Sequence, residues 1–168
     1  VKSLAFYILS FLLIGVSWMV KPTLFRNISY TSLIVGFLIH GYGILLRMQI
    51  MGRPPVSTLY ESVIFVSFII LLLAVTLEYF RADGIGIFIG SVCGSILHFV
   101  GFSYAADGDT LGMLVAVLDS NFWLATHVTT ITIGYGASLA AGFIGHLYLI
   151  QNILDSSNTV SYTHLTLP

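Results

Sequence analysis

Apolar residues along the chain fall into five blocks separated by short polar breaks. They cover about 4–20, 29–48, 62–80, 85–104 and 122–150. A bilayer crossing needs about 20 largely apolar residues, and each block approaches or exceeds that length. The first is short, and Lys21-Pro22 closes it, because proline cannot continue a helix without losing a hydrogen bond. The third is the most apolar, with Ile69-Ile70-Leu71-Leu72-Leu73 at its centre. The fifth, at ~1.5 Å per residue, is about 43 Å long against a hydrocarbon core of about 30 Å, so it must tilt or leave one end in the interface. Trp123 near its start suits an interfacial anchor. The pattern predicts an all-α polytopic membrane helix bundle of about five transmembrane helices, with short loops making sequential helices antiparallel neighbours.

Glycine patterning adds packing information. Gly86, Gly90 and Gly94 recur every four residues on one face of the fourth span, with Gly101 beyond them. Small residues on one face let a second helix approach closely. Gly134, Gly136, Gly142 and Gly145 predict close neighbours for the fifth span as well.

Composition supports a chain built for lipid. Hydrophobic residues make up 57% and charged residues 8% of the 168, and mean hydropathy is +0.99. So few charges cannot solvate a soluble surface. A formal net charge of −1 provides no basic field, so no nucleic-acid partner is expected. The lone Cys93 excludes an internal disulfide framework and a cysteine-rich metal cluster. Lys and Arg are shared equally between the two sides of the membrane, so the positive-inside rule ties. Loop four carries Asp107, Asp109 and Asp119 and no basic residue, which leans it outward.

Ionisable groups in apolar spans default to functional hypotheses. His127 lies near the start of the fifth span, where Phe122 and Trp123 offer apolar walls for a flat ring system. From position alone, a hydrogen-bonded interfacial histidine is the simpler reading. His40 lies in the later half of the second span and emerges toward loop two, on the side of loop four by span parity. The two histidines are therefore expected at one end of the bundle, able to share a pocket, with packing the simpler role for His40. His98 lies beside the glycine face and is expected to make a helix–helix hydrogen bond. His146 is about 28 Å from His127 along a straight helix, so the two cannot ligate one ion.

Loop two is Gly52-Arg53-Pro54-Pro55-Val56-Ser57-Thr58-Leu59-Tyr60-Glu61. Its two prolines force an extended path. Ser57 or Thr58 can then cap the third span, and Glu61 suits the positive N-terminal end. Arg53 is the residue there able to meet an anionic group such as a carboxylate. Glu78 and Arg81, three residues apart, are expected to pair. No P-loop, HExxH, GxSxG or CxxC is present.

The stretch Arg47 to Ser62 resembles the G-x-x-P-[VL]-S-N-x-Y-E-[ST] segment of the system II cytochrome c biogenesis family, the CcsA/ResC type, with Thr58 where the family usually has Asn. Asp119-Ser120-Asn121-Phe122-Trp123-Leu124-Ala125-Thr126-His127-Val128-Thr129-Thr130 resembles its S-N-x-W-L-x-x-H-V segment. Gly134-Tyr135-Gly136-Ala137 stands where S-Y-A-A is usual. The likeness covers about 29–150. It implies a multi-pass protein of the plasma (inner) membrane that exports haem b and presents it for thioether attachment to the CxxCH of apocytochrome c, as part of a haem lyase or synthase. It implies His127 as an axial ligand of the haem iron, Trp123 and Phe122 as walls, loops two and four outside, and a CcsB/ResB-type membrane partner subunit. His40 and Arg53 remain weaker candidates for haem contact. The family's tryptophan-rich haem segment, second flanking histidine and membrane-buried histidine lie beyond the matched residues. A small-molecule or ion permease subunit is the alternative function.

The resulting division is 1–28 for the first helix and loop, 29–159 for the front part of the cytochrome c assembly domain, and 160–168 for a tail. That tail, Val160-Ser161-Tyr162-Thr163-His164-Leu165-Thr166-Leu167-Pro168, reads like the in-frame translation of a sequencing adapter. On that reading the natural protein continues past about Thr159, the fragment alone is inactive, and His164 has no functional role.

Overall fold

The computed structural model describes residues 2–20, 22–106 and 121–154. Loop four with its three aspartates, the Asp119-Ser120 start of the second motif, Lys21 and the C-terminal tail lie outside the described residues. Five helices account for most of what is described: α1 (Lys2–Met19), α2 (Pro22–Met51), α3 (Leu59–Arg81), α4 (Ile85–Ala105) and α5 (Asn121–Leu154). All five are long and apolar enough to cross a membrane.

The helices outrun the apolar blocks at several ends. α2 starts about two turns before Ser29, because proline is favourable at a first helical position, where the missing N–H has no partner to lose. Arg26, on that added segment, donates to the Ala82 carbonyl in loop three. At its other end Gly52 takes a positive φ of 63° and its N–H closes on the Met48 carbonyl, a left-handed helix stop that glycine adopts without strain. Thr58 caps α3, its hydroxyl accepting the Glu61 N–H at 3.0 Å.

α1 to α4 form a closed four-helix ring in which α1 packs on α2 and on α4, and α3 packs on α4. α5 stands outside the ring, mainly against α3. The α1–α2 seam is unusually polar. Ser3, Tyr7, Ser10, Ile14 and Ser17 recur at alternating four- and three-residue steps and are all buried. Ser10 Oγ donates to the Ser29 carbonyl at 3.0 Å, and Ser29 Oγ donates to the Ser10 carbonyl at 2.6 Å. Ser32 Oγ donates to the Phe6 carbonyl at 3.0 Å. In lipid the drive between helices is packing and hydrogen bonding, so small polar side chains hold this seam. Tyr7, Leu33 and Leu71 form the fully buried centre.

The glycine face of α4 works as predicted. A Cβ at Gly86 would lie 2.5 Å from the Ala74 carbonyl oxygen, one at Gly90 3.0 Å from Ala74 Cβ, and one at Gly94 3.2 Å from Tyr7. The glycines of α5 behave differently. Only Gly136 meets a neighbour, at 2.8 Å from Ile69, whereas nothing lies within 4 Å of Gly134, Gly142 or Gly145. α5 touches the ring along one side only, and the ring does not come into contact with these three glycines, although Gly142 borders the groove that α5 makes with α3 and α4.

Glu78 and Arg81 do not pair with each other. Arg81 Nε bonds Asp83 at 2.9 Å. Glu78 turns inward and accepts the Gly84 N–H with both oxygens, at 3.0 and 3.1 Å. The left-handed Ala82 in the α3–α4 turn brings that N–H back to the carboxylate, and Arg81 points outward to the only acid near it in that turn.

Candidate functional site

The predicted site residues divide between two places. His127 sits on the second turn of α5 with an exposed side chain. Phe122 and Trp123 beside it are 68% and 61% exposed, their rings 5.4 Å apart and nearly perpendicular. Gly136 meets Ile69 midway along α3, and Phe143 lies 6.4 Å from Phe88 at the start of α4. The first turns of α5 therefore project toward the end of the bundle that carries loop two.

His40 is not in a common pocket with His127. It lies inside the four-helix ring, 4% exposed, in a cavity of about 530 Å³ whose lining omits His127. The physical reason is the ring closure: α1 and α4 cover the His40 face of α2, while α5 is held outside by α3. His40 instead meets Tyr7, whose hydroxyl oxygen is 3.0 Å from Nδ1, and His98, at a ring separation of 4.7 Å. His98 makes the expected interhelical bond, Nε2 to Ser3 Oγ at 3.1 Å.

Loop two closes the same cavity from its end. Glu61, buried, accepts the Arg47 Nε–H at 2.7 Å and the Ser57 N–H at 3.1 Å, and its Oε1 lies 3.7 Å from Arg53. Arg47 also stands over the Tyr60 ring at 5.1 Å. Arg53 thus meets a carboxylate, but one of this chain. The cluster ties the end of α2 to the start of α3 across the two prolines.

Tyr7, Ser3 and Arg47 are the site residues that sequence reasoning missed. The signal for the first two was available in the four-and-three spacing of Ser3, Tyr7 and Ser10 on α1. Arg47 pairs with Glu61 across a turn whose closure no short-range pattern fixes.

Fold and cavity together define an integral membrane protein: a polar-cored ring of four membrane helices with a fifth alongside, and aromatic and imidazole groups at one end. No protein-family model and no solved structure matches the chain. Curated relatives do. It is 33% identical over 108 residues to the cytochrome c biogenesis protein CcsA of Chlorella vulgaris, covering 64% of this chain and 34% of that protein. It is 34% identical over 118 residues to protein NrfI of Wolinella succinogenes, covering 70% of this chain and 13% of NrfI. The CcsA of a Synechococcus strain is 31% identical over 100 residues, 59% of this chain and 29% of that one. The chain belongs to the CcsA-type family of cytochrome c biogenesis proteins. It spans about a third of the length of the CcsA relatives it matches.

Proposed function

We propose that the protein acts in cytochrome c maturation as a haem-handling membrane component, with haem b as its substrate and His127 as an axial ligand of the iron. The observation that carries this reading is an exposed imidazole flanked by exposed Phe122 and Trp123 at one end of the bundle, in a chain whose relatives are named for cytochrome c biogenesis. Haem is flat, apolar and doubly anionic, so it suits aromatic walls at a wet boundary together with a nitrogen ligand. Apocytochrome c and a CcsB/ResB-type subunit are the partners, loops two and four face outward, and the membrane is the plasma membrane. In the attachment step each cysteine S–H of CxxCH adds across a haem vinyl double bond. A thioether forms, the thiol hydrogen moves to carbon, and no net oxidation or reduction occurs. His40 and Arg53 belong to this reading only as groups beyond the His127 end.

The test is the haem spectrum of the purified full-length protein. His127→Gly should lose the bis-nitrogen signature, and added imidazole should restore part of it by occupying the vacated position. An unchanged spectrum rejects His127 as ligand.

A further inference from the structure

The ring leaves one side of α5 unused. α5 seats on it through Thr132, Gly136 and Ala140, buried residues that recur every four positions. Beside that seam α5, α3 and α4 bound an open groove of about 750 Å³, walled by Val66 and Leu97 on the ring and by Tyr135, Ser138, Gly142 and His146 on α5. Gly136 meets Ile69 near the middle of α3, so the groove runs through hydrocarbon depth. No Lys, Arg, Asp or Glu lines it.

Two features decide what can cover this groove. The first is hydrogen bonding. The hydroxyls of Tyr135 and Ser138 have no partner among the described residues. His146 holds Nδ1 2.7 Å from the Gly142 carbonyl, which can only accept, so Nε2 is left as an acceptor. A hydroxyl in hydrocarbon is costly until it finds a partner. A lipid tail has none to give, whereas the side chains of a neighbouring helix do. The second feature is access to backbone. At about 100° per residue, Gly134, Ser138, Gly142 and Gly145 fall within about 80° of arc on one flank of α5. Nothing lies within 4 Å of the three glycines. Glycine weakens a helix relative to alanine. A second helix packed closely on the stripe offsets that loss, as α3 does on the glycine face of α4. A fluid acyl chain does not.

We infer that this groove is the seat of a further transmembrane helix of the same polypeptide. The matched stretches leave about two thirds of each CcsA relative outside them, ample length for more spans. The incoming helix lays bulky apolar side chains against Gly134 and Gly142. It offers hydrogen-bond partners to Tyr135 and Ser138 at mid-depth, and a donor to His146 Nε2 at the loop-three end. α5 is then an interior helix, held by α3 on one face and by the incoming span on the other. The inference does not depend on whether His127 binds haem.

The test is photo-cross-linking of the full-length protein in its own membrane, with photoreactive p-benzoylphenylalanine in place of Leu139, which also lines the groove. After irradiation the main adduct should run at the mass of one chain. Peptide mass spectrometry should join position 139 to a segment outside residues 1–159. An adduct to phospholipid, to a second copy at twice the mass, or to a different polypeptide overturns the inference. Gly142→Leu in the same background fills the groove and should cut the intrachain adduct at least fivefold. Gly15→Leu, on α1 with nothing within 4 Å, should leave it unchanged. An adduct undiminished by Gly142→Leu also overturns the inference, and the parent adduct decides alone where that variant fails to accumulate. No haem signal enters the readout, so neither result bears on His127.

Discussion

Gly86→Ala places a methyl group 2.5 Å from the Ala74 carbonyl oxygen and 2.8 Å from both the nitrogen and the Cβ of Glu78. Ordinary contact between such atoms is about 3.5–4.0 Å, and two of the three obstacles are backbone, which no rotamer change can move. The α3 and α4 helices must separate by roughly 1 Å at this point. Overpacking of this kind costs about 1–3 kcal/mol. Separation also pulls the buried Glu78 carboxylate from the Gly84 N–H, adding about 1–3 kcal/mol for an unsatisfied buried acceptor. Alanine's better helix propensity returns about 1 kcal/mol, so the net loss should be about 1–5 kcal/mol. Gly15→Ala, where nothing lies within 4 Å, is the control and should be neutral or mildly stabilising. Unfolding of the purified protein by denaturing detergent, followed by circular dichroism, gives both values. Equal stabilities of the two variants would refute the claim that α3 and α4 meet backbone to backbone at Gly86.

Glu61→Gln keeps an acceptor oxygen but removes the negative charge that Arg47 and Arg53 share, and should cost about 1–3 kcal/mol; faster proteolysis within residues 53–58 is the readout. Thr58→Ala should cost about 1 kcal/mol through loss of the α3 cap, measured by the same detergent unfolding, with Thr58→Ser restoring most of it. Tyr7→Phe leaves His40 Nδ1 without its oxygen partner and should destabilise by about 1–3 kcal/mol; a stability equal to the parent would mean that the hydroxyl is not engaged. Ser10→Ala and Ser29→Ala should each cost about 0.6 kcal/mol in detergent unfolding, the usual size for interhelical bonds in membranes, and the two costs should add, because each hydroxyl donates to the other residue's backbone carbonyl, which alanine keeps.

Helix number, order and class could be read from the chain because apolar length is set by bilayer thickness. The α4 glycine face and the Thr58 cap were legible for a related reason: each depends on residues a few positions apart on one element. The failures all involve choices between elements. Glu78 and Arg81 satisfy a helical pairing rule, yet the turn at Ala82 offers the carboxylate a buried backbone N–H and the arginine another acid. Span parity put His40 and His127 at the same end but could not say which of them the ring encloses. The α5 glycines resemble those of α4 in spacing, and only tertiary placement shows that three of the four have no neighbour.

The two buried acids of α3 stand at opposite termini of its most apolar stretch, each clamped where the helix meets a turn. Their seventeen-residue separation corresponds to about 26 Å of rise, close to the thickness of a hydrocarbon slab. Sliding this rod by one turn in either direction would drag a carboxylate into oil. The helix is therefore pegged in depth at both faces of the bilayer, and the rest of the bundle inherits its vertical register from that peg.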